Sequence, residues 1–239
     1  EGEFIIVSPC NKRWQNRLNL NKYLHKLIEE GEHQQQDFKY CINDSKKIAK
    51  SLVAFANTKG GRLLIGVKDN GRVAGVSTDE EYYMVESAAK IYSDPSINFS
   101  TKEWQHEGKK VLEISVVCSN NKPHYAMDHS GKWLAYVRID DENVLAHKIQ
   151  LEVWKKLKSS KGIYISYSDD EKFLIEHLQQ FTTISFSKFM RRAQLSRKKA
   201  EEILSNFVIL EIIKMITTRE GTVFVLNTEF DKNELEKFK

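Results

Sequence analysis

The spacing of apolar residues changes along the chain, and these changes outline the predicted elements. Apolar side chains at every third or fourth position predict amphipathic helices at 20–30, 45–56, 80–92 and 147–157. Short runs rich in β-branched and aromatic residues predict strands at 35–42, 62–68, 73–76, 97–106, 109–118 and 133–139. Strands and helices therefore alternate over the first part of the chain. This order predicts an α+β fold in which helices flank a mixed β-sheet.

The pattern changes after a polar linker at 159–162. Three further helices are predicted to start near Asp169, Ser185 and Ser196, and two strands follow around the turn at 219–221. Three helices and a β-ribbon in this order resemble a winged helix-turn-helix. The predicted organisation is therefore an N-terminal extension at 1–19, an α+β domain at 20–158 and a winged-helix domain at 168–229.

Composition limits the classes of function without selecting one. The 239 residues include 37 basic and 33 acidic side chains, so a net charge of +4 does not by itself identify a nucleic-acid-binding protein. Cys10, Cys41 and Cys118 form no CxxC pair, which argues against a zinc site or a disulfide framework and predicts a reducing, cytoplasmic environment. No apolar run approaches 18 residues, so no membrane partner is expected.

Four short motifs follow one another in the first domain. Gly31-Glu32 precedes Asp37-Phe38-Lys39, and residues 54–61 read Ala-Phe-Ala-Asn-Thr-Lys-Gly-Gly. The glycine pair predicts a helix C-cap with positive φ, and Asn70-Gly71, after the apolar run 64–67, predicts a tight hairpin turn. The last motif is Lys-Pro-His-Tyr at 122–125, followed by Tyr-Val-Arg at 136–138.

Together these motifs resemble the Schlafen Alba-like domain family, with Asp37 at a position where the family usually has Glu. The resemblance implies a nucleic-acid-binding function. In Schlafen relatives with ribonuclease activity, acidic residues at matching positions form a metal-dependent site, which implies a catalytic and metal-binding role for Glu32, Asp37 and Asp69 with Mg²⁺ or Mn²⁺. The alternative is that Glu32 and Asp69 are surface turn residues and that Asp37 pairs with Lys39 or Lys68.

Basic residues are concentrated in the predicted winged helix. The segment 185–199 contains no acidic residue, and the candidate nucleic-acid-binding residues are Lys188, Arg191, Arg192, Arg197, Lys198 and Lys199, with Arg219 in the wing. In a helix-turn-helix the N-terminal part of the second helix faces the major groove, and here that part is 196–199. The alternative is a solvated helix face on a dimerisation or protein-binding module.

Two other chemistries are not supported by residue spacing. Gly61 and Gly66 are spaced as in a P-loop, but Val67 occupies the position that requires Lys, so nucleotide binding is not predicted. His124 has His129 nearby but no serine or cysteine nucleophile at a recognisable spacing, so the family's strand motif explains it better.

The sequence as a whole predicts a DNA-binding transcriptional regulator that favours duplex DNA over RNA and needs no cofactor. Schlafen proteins carry two related lobes and this chain has one, so the resemblance also implies a homodimer, as a palindromic duplex site requires. The alternative is a metal-dependent endoribonuclease that uses Glu32, Asp37 and Asp69, and a protein-interaction adaptor is a third class. Dependence on a divalent metal separates the enzyme from the regulator.

Overall fold

The computed structural model describes residues 22–76, 79–159, 162 and 167–229. The chain divides into two compact units, of which the first ends at Val144 and the second begins at Leu145. The predicted extension at 1–19 and linker residues 160 and 161 lie outside the described residues. In the described part of the chain, no helix is both long enough and apolar enough to cross a membrane.

The first unit contains helices and strands in alternation, as the apolar pattern predicts. Its helices are α1 (22–30), α2 (Ser45–Asn57) and α3 (Glu80–Lys90). Its strands are β1 (Gln36–Lys39), β2 (Gly61–Ile65), β3 (Ser93–Asp94), β4 (Phe99–His106), β5 (Lys109–Val116), β6 (Tyr125–Met127), β7 (Trp133–Leu134), β8 (Tyr136–Ile139) and β9 (Glu142–Leu145).

A four-stranded sheet with the order β1-β2-β5-β4 organises this unit. β1 and β2 are parallel, and the other two pairs are antiparallel. A parallel pair needs a crossover connection, which α2 provides. The sheet is therefore mixed, and the predicted α+β fold class is confirmed.

The side chains of each strand point alternately to the two faces of the sheet. Each face is covered by a separate apolar cluster. On β5, Leu112 and Ile114 point into the core that contains α2 and α3. Val111 points to the opposite face, where Trp104 and Leu27 of α1 join the same cluster.

Helix α2 has the ends that the motifs predict. Asp44 caps its N-terminus, with a side-chain oxygen that accepts a hydrogen bond from the Lys46 backbone N–H at 2.9 Å. After the C-cap Thr58, Gly60 has a φ of +73°, which confirms the predicted positive φ. A Cβ atom at Gly60 would lie 2.8 Å from the carbonyl oxygen of Val116, so close strand packing also requires glycine there.

Asn57, the last residue of α2, joins the helix to two later segments. Its side-chain amide donates to the carbonyl oxygens of His124 and Tyr136 at 2.9 Å, and its Oδ1 accepts from the His124 backbone N–H at 2.8 Å. Asn57 is only 3% exposed, so these three hydrogen bonds satisfy buried backbone groups.

The second unit combines helices with a three-stranded antiparallel sheet of order β10-β12-β11. Its elements are α4 (Lys148–Lys158), α5 (Asp169–Phe181), β10 (Thr183–Ser185), α6 (Phe186–Arg192), α7 (Arg197–Ile209), β11 (Ile213–Thr218) and β12 (Gly221–Leu226). Ser185 and Ser196 cap α6 and α7 through side-chain oxygens, at the positions that the sequence predicts.

Helix α4 packs in the second unit, although its sequence position suggested that it closes the first domain. Ile149 and Val153 belong to the same apolar core as Leu204, Phe207 and Phe224. The boundary in the structure therefore lies between 144 and 145, earlier than the predicted change between 158 and 168. Helical periodicity shows that α4 has an apolar face, but it does not show which core that face fills.

We expect Asn57→Ala to lower the free energy of unfolding by about 3 kcal/mol, because it leaves two carbonyl groups and one N–H group buried without partners. Urea denaturation followed by circular dichroism measures this change. Asn121→Ala is the control, since Asn121 is exposed, and its effect should stay within about 0.5 kcal/mol. Equal effects of the two substitutions would contradict the structural role of Asn57.

Candidate acidic site and nucleic-acid interface

Two of the three predicted acidic residues lie together. Glu32 follows the end of α1, and its Oε1 accepts a hydrogen bond from the backbone N–H of Phe38 at 2.8 Å. This contact places the Glu32 carboxyl group beside that of Asp37 on β1, and the two groups share a hydrogen bond. Asp37 is 4% exposed, so this carboxyl pair is at the edge of the core rather than on an open surface.

The two carboxyl groups have opposite pKa shifts. Burial, together with the neighbouring Asp37, raises the pKa of Glu32. Burial acts to raise the pKa of Asp37 as well, but the Lys39 ammonium, the hydrogen bond from Glu32 and the Arg138 guanidinium outweigh it and lower that pKa. As the pH falls, Glu32 therefore takes up a proton before Asp37 does.

Asp37 belongs to a closed ring of polar side chains. Its carboxylate lies 2.8 Å from Lys39 Nζ and 3.5 Å from Arg138 Nη2, and it accepts a hydrogen bond from Ser51 Oγ at 3.3 Å. Asn143 completes the ring, because it donates to Ser51 Oγ at 2.9 Å and accepts from Arg138 Nη1 at 3.1 Å. Both carboxylate oxygens of Asp37 thus already face a donor from the protein. The predicted pairing of Asp37 with Lys39 is present.

Asp69 does not join this pair. It is exposed in the turn that ends at Gly71, four positions after the last residue of β2, whereas Asp37 is aligned with Leu63 inside the sheet. Within the ranges that the structure describes, no three His, Cys, Asp or Glu side chains form a group that could hold a metal ion. The carboxylates therefore do not fit the predicted Mg²⁺ or Mn²⁺ site, because the turn places the third ligand outside the sheet.

The predicted basic residues of α6 differ in exposure. Arg191 and Arg192 are exposed at the C-terminal end of the helix. Lys188 is partly buried, and its Nζ lies 5.5 Å from the centre of the Phe181 ring. Burial, with the positive charges of Lys188 and Arg192, lowers the pKa of His177. Arg191 and Arg192 are therefore more accessible to a ligand than Lys188 is.

The first turn of α7 contains the other three basic residues of the run. Arg197 Nε lies 3.1 Å from Glu201, and Lys199 Nζ lies 4.0 Å from Glu171. Lys198 is exposed. Two of these three residues thus have acidic neighbours. A count of charges between 185 and 199 does not detect them, because Glu171 and Glu201 lie outside that segment.

Helix α4 packs along the later part of α7. Lys156 Nζ donates to Ser205 Oγ at 2.6 Å and to Asn206 Oδ1 at 2.7 Å, while Lys148 Nζ lies 2.9 Å from Glu201. These contacts begin one turn after the N-terminus of α7. Arg197 and Lys198 lie in the turn of α7 that precedes these contacts.

Sequence reasoning missed two further basic residues of this unit. Lys155 and Lys156 of α4 line a cavity of about 560 Å³ with Lys198 of α7, and Glu152, Glu201 and Glu202 line the same cavity. The signal was present in the sequence as Lys155, Lys156 and Lys158. Because the sequence predicts that α4 closes the first domain, it does not group these lysines with those of α7.

We expect Asp37→Asn to lower the free energy of unfolding at pH 7 by about 3–5 kcal/mol, because it removes the carboxylate from a buried guanidinium. Chemical denaturation measures the loss. Asp69→Asn is the control and should change stability by less than about 0.5 kcal/mol. If Asp37→Asn were as mild as the control, the ring would have no structural importance.

The pKa shifts also predict how stability depends on pH. The lowered pKa of Asp37 means that its contribution is present above about pH 4 and is lost as the pH falls through its folded-state value. The raised pKa of Glu32 acts in the other direction, since its contribution is present at acid pH and is lost as the pH rises through its folded-state value. Glu32→Gln keeps an N–H donor toward Asp37 at every pH.

We therefore expect the free energy of unfolding of Glu32→Gln to be at least as large as that of the natural chain at pH 7. Near pH 4 the variant should be less stable relative to the natural chain than it is at pH 7. Unfolding free energies measured at both pH values test this order. A large loss of stability at pH 7 in Glu32→Gln would contradict the raised pKa of Glu32.

Comparison with known proteins gives one family and several distant structures. Residues 32–147 match the family model described as Schlafen, AlbA_2. A comparison with curated proteins finds no match.

Two solved structures illustrate the distant likeness. The crystal structure of the DIP2311 protein from Corynebacterium diphtheriae is 18% identical with a TM-score of 0.41, and the match covers 81% of this chain and 34% of that one. This chain thus spans about a third of the length of that protein. The solution NMR structure of the N-terminal domain of a Nitrosomonas europaea protein, named as related to the ATP-dependent DNA helicase RecG, is 23% identical with a TM-score of 0.38. That match covers 54% of this chain and 95% of the other.

The family match begins at Glu32 and ends at His147, so it covers the sheet, the polar ring and the motifs from Glu32 onward, and it includes only the first three residues of the second unit. The motifs that carry the resemblance lie almost entirely in this segment, so the match supports a Schlafen AlbA_2-like domain at residues 32–147.

Proposed function

We propose that this protein binds nucleic acid and that its second unit is a winged helix that contacts duplex DNA as part of a transcriptional regulator. The observation that carries the proposal is the position of Arg197 and Lys198, which are exposed on the first turn of α7, beyond the part of that helix that α4 covers. In a helix-turn-helix this turn meets the major groove.

The order of elements supports this assignment. Helix α5, strand β10, helices α6 and α7, and the hairpin β11–β12 follow one another as in a winged helix, and β10 pairs with the second strand of the hairpin. Ala200, Ile203 and Leu204 bury the inner face of α7. The outer face of its first turn is left for a ligand, and Arg219 lies at the tip of the hairpin that would form the wing.

The contacts predict different roles for the basic residues. Arg197 is held in one orientation by Glu201, so it can present its remaining N–H groups to a phosphate. Lys199 lies near Glu171, which is 4% exposed and forms a capping box with Ser168 at the start of α5. We therefore assign Lys199 a structural role rather than a ligand contact. The exposed residues Arg191, Arg192, Arg197 and Lys198 are therefore the proposed phosphate contacts.

The Schlafen AlbA_2 match of the first unit supports nucleic acid as the class of ligand. The metal-dependent ribonuclease gains no support from the geometry, since Asp69 lies apart from Glu32 and Asp37 and Arg138 already engages Asp37. Association into a homodimer and preference for DNA over RNA stay predictions.

We expect the double substitution Arg197→Ala and Lys198→Ala to weaken binding to a duplex of random sequence and to reduce the slope of log Kobs against log salt by about 2, because each lost phosphate contact contributes roughly 0.9. Fluorescence anisotropy at several salt concentrations measures both quantities. The same titration with an RNA duplex of matching sequence tests the preference for DNA.

The matched control removes the same charge from the first unit, through Lys47→Ala and Lys132→Ala, both at exposed positions. This variant should bind duplex DNA with an almost unchanged slope. Equal slopes in the two double variants would show that binding follows net charge rather than the first turn of α7, and the proposal would be wrong.

A further inference from the structure

His124 and Ser119, which are five residues apart, form a short hydrogen bond in the first unit. The distance from His124 Nε2 to Ser119 Oγ is 2.7 Å. The other ring nitrogen, Nδ1, lies 2.8 Å from the carbonyl oxygen of Pro95. The imidazole is thus fixed between a hydroxyl group and a backbone carbonyl group, and His124 is only 5% exposed.

The two partners determine which nitrogen of the neutral ring carries the proton. A carbonyl oxygen can only accept a hydrogen bond, so Nδ1 must be the donor to Pro95. Nε2 is then an acceptor, and the hydroxyl of Ser119 donates to it. A serine that donates to an imidazole whose other nitrogen is held by an acceptor is the arrangement that activates a serine nucleophile.

Further contacts hold Ser119 in place. Its backbone N–H donates to the Ala56 carbonyl oxygen at 2.9 Å, and its Oγ accepts from the backbone N–H of Asn121 at 3.0 Å. The Asn121 N–H would stabilise negative charge that develops on Oγ when its proton moves to His124. His124 is anchored in turn, because Asn57 accepts from its backbone N–H.

A cavity of about 230 Å³ opens onto this pair. Both Ser119 and His124 line it, together with Ile97, Asn98, Val117 and Asn121 among other residues. Ligand sites for larger molecules measure about 300–1,000 Å³, so this cavity suits a short acyl group.

We propose that Ser119 is a nucleophile, that His124 is its general base, and that the pair takes the acyl group of a small ester or thioester. Ser119 Oγ attacks the acyl carbonyl carbon while its proton moves to His124 Nε2. The same proton then passes to the departing alkoxide or thiolate, and the acyl group is left on Ser119 as an ester. Nδ1–H stays hydrogen-bonded to Pro95 throughout, which keeps the ring in position.

Water regenerates the site by the reverse order of proton transfers. A water molecule gives a proton to Nε2 as its oxygen attacks the acyl carbon, and Ser119 recovers that proton when the carboxylic acid leaves. The reaction is the hydrolysis of an acyl ester and needs no metal or redox partner. It does not depend on nucleic-acid binding, since it uses residues of the first unit that the DNA proposal does not involve.

The test is covalent labelling of the full chain with an alkyl fluorophosphonate, followed by intact mass measurement and peptide mapping. We expect one added group on Ser119 and none on Ser119→Ala. His124→Gln can keep hydrogen bonds to Pro95 and Ser119 but cannot take up a proton, so we expect its labelling rate to fall about 100-fold. Release of nitrophenolate from p-nitrophenyl acetate should follow the same order.

Ser100→Ala is the matched control, because Ser100 is an exposed serine on β4, and it should be labelled like the natural chain. Thermal unfolding of each variant shows that it is folded before labelling. The proposal would be overturned if Ser119 of the folded natural chain stayed unlabelled. It would also be overturned if folded His124→Gln reacted as fast as the natural chain.

Discussion

The guanidinium group of Arg138 is 1% exposed, and the polar groups that surround this charge determine how the first unit packs. A buried charge without a partner would cost several kcal/mol, so its neighbours must supply both a counter-charge and hydrogen-bond acceptors. Asp37 of β1 supplies the counter-charge, and the carbonyl oxygen of Gln36 accepts from Nη2 at 3.1 Å. Ser51 and Asn143 close the ring, so the charge ties β1, α2 and β8 together.

This ring also explains the chemistry of the acidic pair. Lys39 and Arg138 lower the pKa of Asp37, whereas burial raises the pKa of Glu32, so Glu32 takes up a proton at a higher pH than Asp37 does. A divalent cation would have to displace Lys39 and Arg138 from Asp37 before it could bind there. The same pattern of acids that implies a metal site by family resemblance is thus used in this chain to neutralise a buried arginine.

The second unit separates its apolar and charged residues more simply. Its core is apolar, from Ile149 of α4 to Phe224 of β12, and hydrophobic burial provides most of its stability. Charges are left to the rim, where Glu201 holds Lys148 and Arg197 on neighbouring helices. Arg197 and Lys198 stay exposed in the first turn of α7, before the residues of that helix that α4 contacts.

The sequence by itself determined the fold class, the ends of α2, the hairpin turn at Gly71 and the caps of α6 and α7, because periodicity and capping residues act over a few neighbouring positions. Only the tertiary structure decided that α4 packs in the second unit, that Asp69 lies apart from Asp37, and that Ser119 meets His124. These facts depend on contacts between segments distant in sequence or on the path of a loop. Residue type and spacing do not specify long-range contacts or loop paths, since the three-dimensional path of the backbone sets the distances between side chains.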